Sequence, residues 1–520
     1  MIRRIALVAL LALLIGAGVL SQGVAQDSDP LAGWSPARLL GSGWWQNLTV
    51  DQQGNLHVSW YGVIQRGNST ALDEDLMMYM QLPLGGEWSE ARDVLYTGTG
   101  GYTVRNALAA TSNGELFAVF RAQSLHRMAR APIVAATDSH QWRDMGALND
   151  SSYYVDMLAS RNDVLHIVYS AATLRTDIDQ VSLEMNPCAL CGDPQYTRSA
   201  DGGATWSFPE PLSVTPTGGS DKLRLFEGGS GRLYLTWDEG TDWYSGRGEA
   251  TDVRFVYSDD EGLTWSDPVI LTGPEDSDYA PFQFTMTELR DGNLLAIWRF
   301  ATRLENRYFF QVSEDVGLTW TNPAPIPGIF SRAYEQSGLD NPTLVTDEIG
   351  NAHLFVVGYT EGNSTRRNPG LYQLVYQQGI WTPARRIFYS PNERPEWPQA
   401  RVGARNDLHL TWFTRDRREN SPPGAYAGRR ETLLVYYSHN ENIPILRPTE
   451  AFLPTHTPLP TSTPVVNLDP TMTPFPTVDP NFSNAIVRNQ DQYAQEALVL
   501  ALAAVGLICA GVLFISRIGR

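Results

Sequence analysis

The chain has 520 residues, 57 of them acidic and 39 basic, for a formal charge of -18. That balance excludes a nucleic-acid binder resting on Lys and Arg patches, because phosphates would be repelled. Aromatic residues at 11% and 44 glycines point to an all-β chain with many tight turns.

The N-terminus reads as an export signal. Arg3 and Arg4 precede an apolar run over 5–20, and small residues follow in Ser-Gln-Gly-Val-Ala-Gln. This order predicts a signal peptide over 1–25, with an uncleaved membrane anchor as the alternative.

From 33 to 440 the chain repeats itself. Segments led by tryptophan begin at Trp34, Trp88, Trp142, Trp206, Trp265, Trp320 and Trp381, as in "TWSFPEPL", "TWSDPVIL" and "TWTNPAPI". A period near this length means a solenoid, propeller or array. Between them lies a second repeated element: a turn, then alternating β-branched and aromatic residues. Examples are "GNLHVSW" from Gly54, "GRLYLTW" from Gly231 and "NDLHLTW" from Asn406. Such patterns are hairpin signals. Four strands per repeat, A to D from inside outward and arranged radially, solve the edge-strand problem as a propeller does. Seven A–B hairpins are visible. The last repeat lacks a D strand and the first segment, 34–40, is a D strand without A to C. The expectation is an all-β, seven-bladed β-propeller closed by the N-terminal strand, with a six-bladed wheel as the alternative.

Within the repeats, Cys188 and Cys191 form "CALC". A lone CxxC is a redox pair, half a zinc site or a local disulfide. With no second pair a four-cysteine zinc site is excluded, and an exported chain favours a loop-stapling disulfide. The octet Ser-x-Asp-x-Gly-x-Thr-Trp occurs intact three times, ending at Trp206, Trp265 and Trp320. Its Ser and Asp suit local backbone bonds, its Gly suits positive φ, and its Trp suits a wedge between layers.

Beyond the repeats, Pro and Thr dominate 448–480, a composition that favours an extended stalk, with O-linked sugar a common companion. A linker over 481–496 leads to an uncharged apolar run, 497–515. Its length suits one transmembrane helix, and Arg517 and Arg520 in a 516–520 tail place the C-terminus in the cytoplasm. The chain reads as a head, a stalk and a foot, single-pass at the cell membrane with the head extracellular.

The octets and their period resemble the Asp-box, or bacterial neuraminidase repeat, of the sialidase superfamily. The resemblance covers 33–440. It implies a structural role, on the face opposite the active site, for Ser199, Asp201, Gly203, Thr205 and Trp206; for Ser258, Asp260, Gly262, Thr264 and Trp265; and for Ser313, Asp315, Gly317, Thr319 and Trp320. The family's catalytic members share an Arg-Ile-Pro motif, an arginine triad, a Tyr–Glu pair and an Asp acid/base. No Arg-Ile-Pro occurs here. Aligning Ala107 and Leu108 with the family's strand puts Val104 at the Arg position and Arg105 one residue off, which turns its side chain to the other face.

Topology alone indicates where a site belongs. A–B and C–D turns share one face and are short, whereas the long connections at 62–75, 170–195, 238–252, 358–370 and 414–431 are all B–C. Length thus gathers on the other face, where binding loops are expected. The candidate ligand-binding residues at its inner rim are Trp44, Trp45, Tyr102, Arg105, Tyr153, Tyr154, Asp238, Glu239, Arg299, Asp340, Trp397 and Arg415. Aromatic rings there would stack on sugars and arginines would grip carboxylates, while two carboxylates ~5–9 Å apart would hydrolyse a glycoside. No residue is assigned to catalysis, and no cofactor or metal is expected. The leading expectation is recognition of an extracellular ligand, first a glycan. The alternatives are an exo-sialidase or related glycoside hydrolase, and a protein-binding platform.

Overall fold

A computed structural model describes residues 33–64, 74–97, 105–122, 125–150, 154–171, 192–214, 219–242, 247–271, 280–300, 306–333, 339–361, 368–416 and 432–441. The signal peptide, stalk, linker, apolar run and tail lie outside these residues, as do Tyr102, Tyr153, Cys188 and Cys191. Among the described residues no helix is long and apolar enough to cross a membrane.

The fold is an all-β propeller. Strand β1 (Arg38–Ser42) stands apart from its sequence neighbours, and the next strands form antiparallel sheets in chain order. The first sheet holds β2 (Trp44–Val50), β3 (Leu56–Ile64), β4 (Glu74–Leu82) and β5 (Arg92–Tyr96). The second holds β6 (Asn106–Ala110), β7 (Glu115–Ala122), β8 (Leu125–Pro132) and β9 (Arg143–Asp150), and the third β10 (Val155–Ala159), β11 (Leu165–Ala171), β12 (Asp193–Ser199) and β13 (Glu210–Pro211). The fourth holds β14 (Ser220–Glu227), β15 (Leu233–Asp242), β16 (Arg247–Ser258) and β17 (Val269–Leu271).

A nine-stranded sheet follows. It contains β18 (Pro281–Glu288), β19 (Leu294–Phe300), β20 (Arg307–Ser313), β21 (Ala324–Phe330), β22 (Thr343–Thr346), β23 (Ala352–Thr360), β24 (Gly370–Gln377), β25 (Ile380–Trp381) and β26 (Arg385–Phe388). The expectation of seven separate blades, or of six, is therefore corrected: five four-stranded blades are discrete. The two repeats over 281–388 are fused, because β21 runs on to Phe330 and pairs Ile329 with Thr360 and Phe330 with Tyr359 of β23.

The fifth discrete blade combines β27 (Glu393–Val402), β28 (Leu408–Asp416) and β29 (Thr432–Asn440) with β1 from the other end of the chain. Arg38 pairs with Tyr437, Ser42 with Leu434, and Trp34 bridges to Asn440. The strand expected at 34–40 thus closes the ring, although regular pairing starts only at Arg38.

Tryptophan sets the spacing between sheets. Five outer strands begin four residues after their Trp, not at it, which leaves the indole on the turn; β9 starts directly after Trp142, and Trp381 lies within β25. The indole packs edge-on against the preceding sheet: Trp88 on Tyr437 at 4.9 Å, Trp142 on Tyr79 at 6.1 Å, Trp265 on Tyr196 at 4.9 Å and Trp320 on Phe255 at 6.1 Å.

The intact octets share one hydrogen-bond pattern. Asp201 accepts from the Thr205 N–H at 2.9 Å, the Thr205 hydroxyl at 2.6 Å and the Ser199 hydroxyl at 2.8 Å, while the Gly203 N–H donates to Ser199 Oγ at 2.9 Å. Asp260 and Asp315 accept from the corresponding Ser and Thr groups at 2.6–2.9 Å. Burial pushes the Asp201 carboxyl up, but the bonds from Thr205 and Ser199 outweigh it and hold it below the usual carboxylate range. The octet is turn architecture.

Candidate functional site

The inner hairpins share one register. Leu48 faces Val58, Leu108 faces Ala118, Met157 faces Ile167, Leu225 faces Leu235, Met286 faces Ala296, Leu344 faces Leu354 and Ala400 faces Leu410. Three residues before each inner-strand member stand Trp45, Arg105, Tyr154, Lys222, Gln283, Asn341 and Trp397. All are buried except Trp397, which is half-buried.

These positions converge on the axis. The Arg105 guanidinium lies over the Trp45 ring at 3.7 Å and over the Tyr154 ring at 3.8 Å. Trp397 meets Trp45 edge-on at 4.8 Å and Tyr154 at 6.4 Å, although it comes from the closing blade and Tyr154 from the third. Half-buried Trp44 lies 5.7 Å from Trp45 and 6.5 Å from Phe413. Arg224 reaches the Trp397 ring at 5.7 Å.

Backbone strain marks the same level. Trp45, Lys222, Gln283 and Trp397 have φ of 52°, 56°, 55° and 54°. Each sits in a bulge where the inner-strand register shifts. A bulge re-aims side chains, and positive φ in non-glycine residues persists only where the surroundings enforce it. Neighbouring blades supply that force here. Asn106 Nδ2 donates to the Trp45 carbonyl at 2.7 Å, and Gln46 Nε2 to the Trp397 carbonyl at 2.6 Å. Asp238 accepts the backbone N–H of Gln283 at 2.7 Å and of Phe284 at 2.9 Å.

The candidate carboxylates are held by cations. Asp238 and Glu239 belong not to a loop, as their place in 238–252 suggested, but to β15, which continues to Asp242. Lys222 Nζ lies 2.7 Å from Asp238, both buried. Glu239 accepts from the Trp237 indole at 2.7 Å and the Ser220 hydroxyl at 3.0 Å. Asp340 is doubly bonded by Arg332, which also lies 3.5 Å from Glu396. Arg415 lies 3.2 Å from that glutamate, and Arg299 donates to the Arg332 carbonyl at 2.5 Å. Burial pushes the Asp340 carboxyl up to about 6 against the pull of Arg332.

Thus Trp44, Trp45, Arg105, Tyr154 and Trp397 are brought together, whereas Arg299, Asp340 and Arg415 join a second network with Arg332 and Glu396. Sequence reasoning missed Lys222, Gln283, Asn341, Arg224 and His126. Counting back three residues at the shared register would have found the first three. Burial lowers Arg224 to about 10 although Asp156 opposes it, and the Leu225 N–H donates to Asp156 at 2.8 Å. His126 is fully buried, and burial together with Arg121 and Arg105 lowers it to about 3. Among the described residues neither of its ring nitrogens is hydrogen-bonded. No cluster of His, Cys, Asp and Glu among them suits a metal ion.

No family model matches the chain, and no curated protein matches it. Solved structures do. An ulvan lyase is 10% identical, covering 79% of this chain and 96% of its own, with a TM-score of 0.52. The NanB sialidase from Streptococcus pneumoniae is 12% identical, covering 78% of this chain and 71% of its own, at 0.43. A protein of unknown function from Dyadobacter fermentans is 14% identical, covering 78% and 99%, also at 0.43. At these identities the likeness concerns the fold alone.

Proposed function

We propose that this chain is a membrane-anchored, extracellular, sialidase-like propeller that binds an acidic glycan at its axial ring. The supporting observation is Arg105, whose guanidinium lies over the rings of both Trp45 and Tyr154. Such stacking fixes the guanidinium plane, and the N–H edge in that plane matches a carboxylate or sulfate. Half-buried Trp44 and Trp397 beside it offer rings on which a sugar stacks. Beside these rings and in the adjoining network, Arg105, Lys222, Arg224, Arg299, Arg332 and Arg415 face Asp156, Asp238, Glu239, Asp340 and Glu396, six cations against five carboxylates in a chain whose net charge is -18. The signal peptide, the Pro/Thr stalk and the apolar run over 497–515 support display of the head outside the membrane.

A glycan array probed with the full chain in detergent tests this reading. Acidic glycans should bind, and Trp397→Ala or Arg105→Gln should weaken binding about 10-fold or more with the circular dichroism spectrum unchanged. Absence of acidic-glycan binding, or indifference to both substitutions, would overturn it. Hydrolysis is the less supported reading, since the described rim carboxylates are engaged by cations, backbone donors or neutral side-chain donors. Hydrolytic turnover of an acidic polysaccharide by the full chain would establish that second reading.

A further inference from the structure

The closing blade lacks an octet. Its C strand ends at Asn440 and its D strand arrives from the chain start, so no hairpin turn joins them. The Trp34–Asn440 bridge and the bonds of Ser35 to Ser438 and His439 tie the ends instead. Space is left between these ends and the 83–88 turn of the first sheet, a cavity of about 490 Å³. It lies on the face of the A–B and C–D turns, opposite the axial ring.

We propose that this seam cavity is a second binding site, and that it takes a neutral saccharide of one or two rings. Trp88 and Tyr437, edge to face at 4.9 Å, give the cavity aromatic surface, and Leu56, Leu82 and Pro83 add apolar wall. Arg38 and Arg405 line it together with Glu87, Asp407 and Glu441. Two cations thus face three carboxylates, one of which, Asp407, lies 3.2 Å from His409 and another, Glu441, 3.2 Å from His439. The small excess of negative charge disfavours an anion and does not oppose a neutral ligand. His439 places Nε2 3.2 Å from Glu441 and buries Nδ1, which meets no hydrogen-bond partner among the described residues. Apolar aromatic surface ringed by donors and acceptors of both signs matches a sugar, whose ring face is C–H and whose edge is hydroxyl. The volume falls within the range of small-ligand clefts. Because the walls come from the first and last repeats, a bound sugar clamps the seam and stabilises the fold by mass action.

The test uses the full chain in detergent. Neutral hexoses, N-acetylhexosamines and their disaccharides are titrated with indole fluorescence and thermal melting as readouts. Sodium sulfate and a synthetic peptide of residues 442–460 are titrated in parallel. At least one neutral sugar should saturate in the millimolar range and raise the melting temperature. Glu441→Gln combined with Arg405→Ala should weaken it about 10-fold, whereas Arg105→Gln should leave it unchanged. Trp88→Phe, which keeps the wedge filled, should quench the fluorescence response while the protein stays folded. No saturation by any neutral sugar, binding of only sulfate or only the peptide, or sugar binding indifferent to the Glu441 and Arg405 changes would overturn the proposal. Loss of acidic-glycan binding at the axis does not bear on it.

Discussion

Asp238 illustrates how one carboxylate serves three neighbours. It accepts two backbone N–H groups from the next inner strand and balances buried Lys222, whose own φ is 56°. Removing it leaves a charged ammonium in a dry place and two donors without an acceptor. Asp238→Ala should therefore cost ~3–5 kcal/mol in urea melts. The double variant Asp238→Leu/Lys222→Met should recover part of that loss, because replacing both charges removes the uncompensated one. Additive losses would show that the pair is not coupled. His126 makes a different residue-scale claim. Its proton affinity is lowered from 6.5 to about 3 by burial and by Arg121 and Arg105. The folded state thus refuses a proton that the unfolded state accepts. The stability it contributes is complete above pH 6.5 and is lost as pH falls toward 3. His126→Phe should melt with a flatter pH dependence between pH 6.5 and 4.5 than the parent, and parallel curves would contradict a buried neutral imidazole.

At the scale of elements, the octet turns combine two demands that separate cleanly at glycine. Gly262 and Gly114 both have positive φ, 75° and 84°. A Cβ on Gly114 meets nothing within 4 Å, whereas one on Gly262 would sit 1.7 Å from the Tyr196 hydroxyl. That hydroxyl is 2.7 Å from His166 Nδ1, inside the preceding blade. Gly114→Ala should cost about 1 kcal/mol, the backbone term alone. Gly262→Ala should cost at least ~2 kcal/mol more, since the turn must lift off its neighbour. Equal losses in denaturant melts would mean that the turn does not press on that blade. These turns were legible in sequence because their chemistry is local: Ser, Asp, Gly and Thr bond within eight residues. The hairpins were legible for the same reason. The bulges were not. Whether Lys222 or Leu223 faces the axis depends on where the ladder slips, and the slip is held by Asp238 from another strand and by Gln46 or Asn106 in other sheets. Of the twelve rim candidates, Trp44, Trp45, Arg105, Tyr154 and Trp397 could be named because bulk and charge at a strand start are visible. Gln283 and Asn341 were passed over, since nothing about an amide's chemistry announces an axial position; only their place three residues before the shared register does. The fusion of two repeats at Phe330 likewise depends on a pairing 29 residues away, at Tyr359.

For the whole molecule, the decisive contact joins residues some 400 positions apart. Ser35 bonds Ser438 and His439, and β1 pairs with β29 across Arg38 to Ser42. Trp34 donates its indole N–H to Gln373 at 2.8 Å and stands edge-on to Phe355 at 5.5 Å, so the first residues also reach the sheet before the seam. A ring held this way has no independent half: opening the seam exposes the β29 edge, Leu40 and the apolar faces on both sides of the gap. Deleting 33–42 while keeping residues 1–32 should therefore abolish the single cooperative transition in calorimetry. Adding a synthetic 33–42 peptide in excess should restore part of it through strand addition. The seam cavity ties the axial site to this closure. A ligand that clamps the first and last repeats raises the cost of opening, and the bulges at Trp45 and Trp397, one on each side of the seam, share a hydrogen bond through Gln46 across it. In the truncated chain, acidic-glycan binding at the axis should fall together with cooperativity. Retention of full binding after loss of the transition would show that the axial ring holds its shape without closure.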